Sequence, residues 1–268
     1  MSSLDLLFGT AFGGVKNNGT RKVTLVGAGP GDPGLLTRKG FEALQTAHVV
    51  YFDELVSPEI MELVGAATRC IYVGKPCKSV AVSQGDIVQQ LIVAAGAGLR
   101  VVRLKGGDPM VFGRGAEEIT ALREAGIEVD VVPGITSASG AAASTRISLT
   151  HRDYSAQVSF VTAARRDGEL ADVRGLAGKG RTLVVYMGIA RAQALSEAFQ
   201  ADGVEGALPV AIVENATRAD ERVIITTVAA LPAIVARQNV RSPALFIVGD
   251  VVRTYQPAAG AAVAAARL

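Results

Sequence analysis

Tryptophan is absent from this 268-residue chain, aromatic residues make up only 5 %, and cysteine occurs twice. Each scarcity excludes something. With so few rings and a net charge of only +2, the chain lacks the basic, base-stacking surface that nucleic acid requires, so no nucleic-acid partner is expected. Cys70 and Cys77 have six residues between them, which suits neither a zinc knuckle nor a redox Cys-x-x-Cys pair. No metal is expected, and both thiols read as reduced residues of a cytoplasmic protein. No run of about 18 apolar residues exists that could cross a membrane. The opening MSSLDLLFGTAFGG lacks a basic leader followed by a long apolar core, so the expectation is a soluble protein that is not exported and has no membrane partner.

What is present is apolar sequence in short runs. Hydrophobic residues total 49 %, enough for a substantial core. VTLVGA (23–28), HVVYFD (48–53), CIYVG (70–74), RVVRLK (100–105) and VDVVPG (129–134) are nearly continuous apolar runs, as parallel strands covered on both faces should be. Helical patterns alternate with them: LLTRKGFEALQT, SQGDIVQQLIVAAG and AEEITALREAG, the last ended by Gly126. The reading is an α/β domain with a mainly parallel sheet. A second set of strands follows: QVSFVT (157–162), TLVVYMG (182–188), VAIVEN (210–215), RVIITT (222–227) and ALFIVG (244–249). NATRAD, between two of these, is too short for a crossover helix and predicts antiparallel pairing. The small-residue stretch GITSASGAAASTRISLTHRD marks the boundary. The expected organisation is an N-terminal tail over 1–20, a first α/β domain over 21–138, a second with a mixed sheet over 139–256, and a tail over 257–268.

Two glycine-rich segments carry chemical content. GAGPGDPG (27–34) satisfies G-x-G-x-x-G after a strand, with Asp53 roughly 20 residues beyond, as a dinucleotide fold requires. However, Pro30 and Pro33 remove amide donors from the loop that would cradle a pyrophosphate, and Asp32-Pro33 reads better as an N-cap with proline at N1. RLKGGDPMVFGRG (103–115) places four glycines, Asp108 and Arg114 where a strand passes into a helix. A simple turn needs fewer special residues. Glycine permits close approach of backbone to a ligand, while a tight turn with Asp108 as a cap is the plainer alternative.

VGAGPGDPGLLT, YFDELVS, VGK, RLKGGDP-x-x-FGRG-x-EE, VVPGITSASG, THR, YMG and EN-x-T occur in that order from about residue 23 to residue 217. This series closely resembles the tetrapyrrole methylases, and within them the uroporphyrinogen-III C-methyltransferases. The resemblance implies two α/β domains with S-adenosylmethionine in the cleft between them, a homodimer, and two successive methylations of uroporphyrinogen III that give precorrin-2 and leave S-adenosylhomocysteine. It also implies donor contacts from Pro30, Gly106, Gly107, Asp108, Val111, Thr136, Ser137, Met187 and Ala216, with Ala244 a further candidate.

For the acceptor, which carries eight carboxylates, planar arginine forks are suitable partners. Arg114 and Arg152 are the leading candidates, with Arg165 and Arg166 nearby, and Glu117 stands one helical turn after Arg114, where it can fix the guanidinium. Asp53 and Lys75 match positions the family gives to a proton acceptor and a proton donor, against the plainer reading of a capping aspartate and an exposed lysine. His151 is a weaker candidate, since a lone histidine usually satisfies a structural hydrogen bond. The chain departs from its relatives at Ala163-Ala164, where Gly-His is common, in GKPCKSVAVSQ, which lacks a frequent histidine, at Ser137 and Ala216, where alanine and glycine are common, and at Glu221, where glutamine is frequent. The alternatives are a methylase acting on a later precorrin, an NAD-dependent oxidoreductase, and a non-catalytic tetrapyrrole-binding relative. Precorrin-2 could feed sirohaem, cobalamin or haem d1 synthesis, and the chain length predicts no fused dehydrogenase-chelatase region.

Overall fold

The computed structural model describes residues 21–74, 83–163, 165 and 168–257. By Cα proximity the chain divides into two units, Met1–Thr136 and Ser137–Leu268. The first unit contains a five-stranded sheet of β1 (Lys22–Gly27), β2 (Val49–Phe52), β3 (Arg69–Tyr72), β4 (Val101–Lys105) and β5 (Glu128–Val132). Its order is β3-β2-β4-β1-β5, and every neighbouring pair is parallel. Four helices connect the strands: α1 (Arg38–Thr46), α2 (Pro58–Met61), α3 (Gln84–Gly96) and α4 (Gly115–Glu124).

Strand periodicity sorts the core into two layers. Val23, Leu25, Val49, Tyr51 and Val101 pack with Leu91 of α3 and Leu122 of α4. The alternate residues Val26, Val50, Val102 and Leu104 pack with Leu44 of α1 and Ile60 of α2. Side-chain caps set the helix starts: Ser83 accepts from the Asp86 amide while Asp86 returns a bond to the Ser83 amide. LLTRKGFEALQT is not one helix. A short 3-10 turn, Pro33–Leu35, is capped by Asp32, Leu36 is extended, and α1 begins only after Thr37 accepts from the Gly40 amide.

The second unit comprises α5 (Ser137–Thr145), β6 (Ser155–Thr162), β7 (Gly180–Tyr186), α6 (Ala192–Ala201), β8 (Pro209–Glu214), β9 (Arg222–Thr227), α7 (Leu231–Arg237) and β10 (Ala244–Val248). Its sheet runs β6-β7-β10-β8-β9; β6 and β7 are parallel, and all other neighbours are antiparallel. Phe199 of α6 and Leu231 and Ile234 of α7 cover one face, while Ala138 and Ala141 of α5 lie on the other. The stretch read as a small-residue boundary therefore forms a helix. Its buried residues are Ala138, Gly140, Ala141 and Thr145, too small or too polar to give an apolar stripe in sequence. Among the described residues no helix is long and apolar enough to cross a membrane.

At the exits of β1, β4 and β5, Gly27 and Gly134 pack against the main chain of Gly107. A Cβ on Gly27 would lie 2.5 Å from the Gly134 nitrogen and 2.7 Å from the Gly107 oxygen, and one on Gly134 would run into that same oxygen. These obstacles are backbone and cannot rotate away. Gly134→Ala should therefore destabilise the protein by about 3 kcal/mol or more through overpacking. Gly96→Ala, with nothing within 4 Å of the new Cβ, should be neutral or stabilise by about 0.5 kcal/mol. Urea unfolding of the two variants checks the contrast.

Candidate active site

Because the first sheet is wholly parallel, the loops leaving its strands emerge along one edge. Pro30 follows β1, Asp53 follows β2, Gly106 through Glu117 follow β4, and Thr136 follows β5. Lys75 is three residues past the end of β3 and lies outside the described residues. The neighbouring strands β1 and β4 send the chain to opposite faces, towards α1 and α4 respectively. Such a reversal is where open α/β sheets bind ligands.

The floor of this crevice is main chain. Gly29 and Gly107 exchange hydrogen bonds of 3.1 and 2.7 Å as an isolated antiparallel bridge, and the Ala28 amide donates to the Lys105 carbonyl at 2.8 Å. The Gly34 amide donates to Asp32 Oδ1 at 2.7 Å. With the Ala28, Gly29 and Gly34 amides engaged and prolines at 30 and 33, GAGPGDPG is a poor cradle for a pyrophosphate. That weighs against the dinucleotide reading. Asp108 locks the crevice: Oδ1 accepts from the Met110 amide at 2.7 Å and Oδ2 from the Gly134 amide at 3.0 Å. Its remaining lone pairs leave room for a ligand donor. Gly106 has a packing reason of its own, since a Cβ there would sit 2.6 Å from Leu55 Cβ. Val111 is half-buried and Pro30 buried.

Beyond this floor the loop turns outward. Phe112 and Arg114 have φ of 52° and 58°, an uncommon left-handed conformation for residues with side chains. Arg114 ends the loop at the N-terminus of α4, where Nε and NH2 grip the two Glu117 oxygens at 2.9 and 2.6 Å. The carboxylate raises the guanidinium's pKa above its ordinary value. Both side chains remain about half exposed, so the fork is aimed yet accessible. Leu55, Met110 and Phe112 are exposed on the same two loops that hold Asp53 and Arg114.

Beneath the edge is a cluster that the sequence reading did not single out. Arg103 and Lys105 project from β4 towards α3 and α4, on the face they share with Val101. Arg103 NH2 donates to Asp53 Oδ2 at 2.9 Å and its Nε to Glu118 Oε1 at 3.3 Å; Lys105 Nζ and Gln84 Nε2 reach that same oxygen at 3.0 and 2.7 Å. Glu118 is fully buried, and its Oε2 has no hydrogen-bond partner among the described residues. Burial, reinforced by Arg103, lowers the pKa of Lys105 from the usual lysine range, and Glu118 opposes that shift. The sequence signal was available: two cations at alternate positions of an otherwise apolar strand require a buried anion.

In the second unit the remaining donor candidates gather at one sheet edge. Met187 follows β7, Ala216 follows β8, and Ala244 begins β10 between them, paired in register with Glu214. Ser137 opens α5, whose Ala138 amide donates to the Tyr186 hydroxyl at 3.1 Å. Met187, Asn215 and Thr217 all have positive φ, and for β-branched Thr217 this is a true outlier. Backbone strain concentrated where the chain leaves β7 and β8, on either side of β10, is a mark of a functional site. Glu221 Oε2 accepts from the Thr217 amide at 2.6 Å, a task that a glutamine oxygen also performs. Ala163 is fully buried, whereas Ala164 and Arg166 lie outside the described residues. Arg152 is exposed, as is Arg165. His151 Nδ1 accepts from the Asp153 amide at 3.2 Å and its ring tilts against Tyr154, a structural role.

Residues 22–232 match the family described as Tetrapyrrole (Corrin/Porphyrin) Methylases. The chain is 50 % identical over 243 residues to a siroheme synthase of Chromobacterium violaceum, an alignment covering 90 % of this chain and 51 % of that protein. It is also 50 % identical over 232 residues to a siroheme synthase of Edwardsiella ictaluri, covering 86 % and 50 %. The chain thus spans about half the length of these relatives. Among solved structures it is similar to a uroporphyrin-III C-methyl transferase from Thermus thermophilus complexed with S-adenyl homocysteine, with 38 % identity, a TM-score of 0.76, and coverage of 88 % of this chain and 96 % of that one. A cobalt precorrin-4 methyltransferase is 27 % identical at a TM-score of 0.76, covering 87 % and 96 %.

The two carboxylates of the β4 loop should behave differently on truncation. Asp108→Ala frees two backbone amides and should cost about 2–3 kcal/mol. Glu117→Ala breaks only a half-exposed pair and should cost less than about 1 kcal/mol. Equal shifts in the urea midpoints of the two variants would contradict this division.

Proposed function

The chain belongs to the tetrapyrrole methylases, and on that premise we propose that it methylates uroporphyrinogen III at carbons two and seven, using S-adenosylmethionine and yielding precorrin-2. The observation that carries this reading is the chemistry of the crevice floor. A loop with its amides engaged and with the Asp108 carboxylate and main-chain carbonyls alongside suits a cationic, phosphate-free ligand rather than a nucleotide phosphate. When bound, S-adenosylmethionine supplies an electrophilic methyl on a sulfonium. The similarity to the Thermus thermophilus enzyme over nearly its whole length supports the same assignment.

Donor contacts are proposed for Pro30, Gly106, Gly107, Asp108, Val111 and Thr136 of the first unit, and for Ser137, Met187, Ala216 and Ala244 of the second. Arg114, held by Glu117, takes an acceptor carboxylate in its fork. Exposed Met110 and Phe112 on the same loop offer apolar contact to the macrocycle. Arg152 is a second carboxylate partner. Carbon methylation requires loss of a proton from the acceptor. Asp53 receives it, its carboxylate about one-quarter exposed at the end of β2, and Lys75 is the proposed proton donor. A homodimer in the cytoplasm, supplying sirohaem, cobalamin or haem d1 synthesis, completes the proposal.

Purified protein incubated anaerobically with uroporphyrinogen III and S-adenosylmethionine should give a product heavier by two methyl groups in mass analysis. Gain of one methyl group, or none, overturns the reading. Arg114→Ala should lower kcat/KM by about 100-fold, roughly 3 kcal/mol of transition-state stabilisation, while S-adenosylhomocysteine affinity measured by calorimetry is retained. Loss of donor binding instead would move Arg114 out of the acceptor site.

A further inference from the structure

Asp53 does not stand alone at its strand end. Arg103 is paired in register with Tyr51, two residues before Asp53, so its guanidinium lies just behind the carboxylate. Its side chain is only 4 % exposed. The fork is held from several directions: NH1 donates to the Leu104 carbonyl at 2.9 Å, Nε to Glu118 at 3.3 Å, and NH2 to Asp53 Oδ2 at 2.9 Å. The Leu55 amide takes Asp53 Oδ1 at 3.3 Å. Glu118 is in turn fixed by Lys105 and by Gln84 at the start of α3. Two cations and two anions thus share one mostly buried cluster, of which Asp53 is the more open end, 24 % exposed at its side chain.

Such a cluster is a poor route to stability, because well-packed apolar residues of similar volume commonly do as well or better. Its value is geometric. We propose that Arg103, anchored by Glu118, is the positioning residue that holds the Asp53 carboxylate in one orientation for proton removal. The inference rests on the reading of Asp53 as proton acceptor. Lysine at 103 would keep the charge but lose the fork, which alone reaches Asp53, Glu118 and the main chain together.

A double-mutant cycle tests the coupling. Arg103→Lys should lower kcat about tenfold or more, the scale expected for a misplaced catalytic group, while KM for uroporphyrinogen III and the S-adenosylhomocysteine dissociation constant stay within about threefold. Asp53→Asn should lower kcat further, and the double variant should be no slower than Asp53→Asn alone. A general loss of packing would not produce that non-additivity. Undiminished kcat in Arg103→Lys, or losses that multiply in the double variant, would overturn the inference while leaving Asp53 as acceptor. Full kcat in Asp53→Asn would overturn both. If Arg103→Lys does not accumulate as folded protein, the near-isosteric Glu118→Gln replaces it in the same cycle, with the same expected and contrary outcomes. Failure of the wild-type protein to add two methyl groups is a separate result and bears on the function itself.

Discussion

At the exits of β1, β4 and β5, main chains approach more closely than a Cβ on Gly27 or Gly134 allows, both glycines packing against the Gly107 carbonyl. This contact fixes the spacing of the loops that follow. Only because Gly134 lies against Gly107 can Asp108, one residue further on, reach the Gly134 amide. The same proximity sets the bridge between Gly29 and Gly107, which engages both of their amides. Close main-chain approach here thus sets the geometry of the loops that carry the candidate site.

Electrostatics supplies the second layer. The centre of a parallel sheet is apolar on both faces, and β4 obeys this on the side of Val102 and Leu104. On the other side it abandons apolar packing after Val101 and places Arg103 and Lys105 against Glu118. The change occurs where the strand nears the edge that carries the candidate site. Buried charge is tolerated there because each cation has an anion within hydrogen-bonding distance. The Arg114 and Glu117 pair, by contrast, is half exposed and gains its importance from direction rather than from energy.

Central strands such as β4 and β8 were legible in the sequence because a short, near-continuous apolar run is what a strand buried on both faces requires, whereas the edge strands β3, β5 and β6 carry similar runs but are only partly buried; NATRAD was short enough to demand antiparallel pairing of β8 and β9. Asp32-Pro33 as a cap and Glu117 as the brace of Arg114 were equally readable, since both are local, within three residues. Glu118 was not. Adjacent glutamates at 117 and 118 look alike in sequence, and only the phase of α4, which turns Glu118 inward one turn before Leu122, separates brace from anchor. The helix α5 was hidden for a different reason: alanine, glycine and threonine bury well against a sheet yet carry too little hydrophobic contrast to show a period. The left-handed backbone at Met187, Asn215 and Thr217 was equally invisible, because none of the three is glycine.

A crevice floor built from main chain has a consequence for how such a protein can diversify. Peptide groups are the same in every sequence, so point substitutions have little to act on there except to destroy the close approach. The side chains of the outward part of the β4 loop, Met110, Phe112 and Arg114, are exposed and lie outside that close approach. In this sense the fold separates an inherited constant from an adjustable part, and the two meet within a single loop of about ten residues, a usual length for loops that carry function.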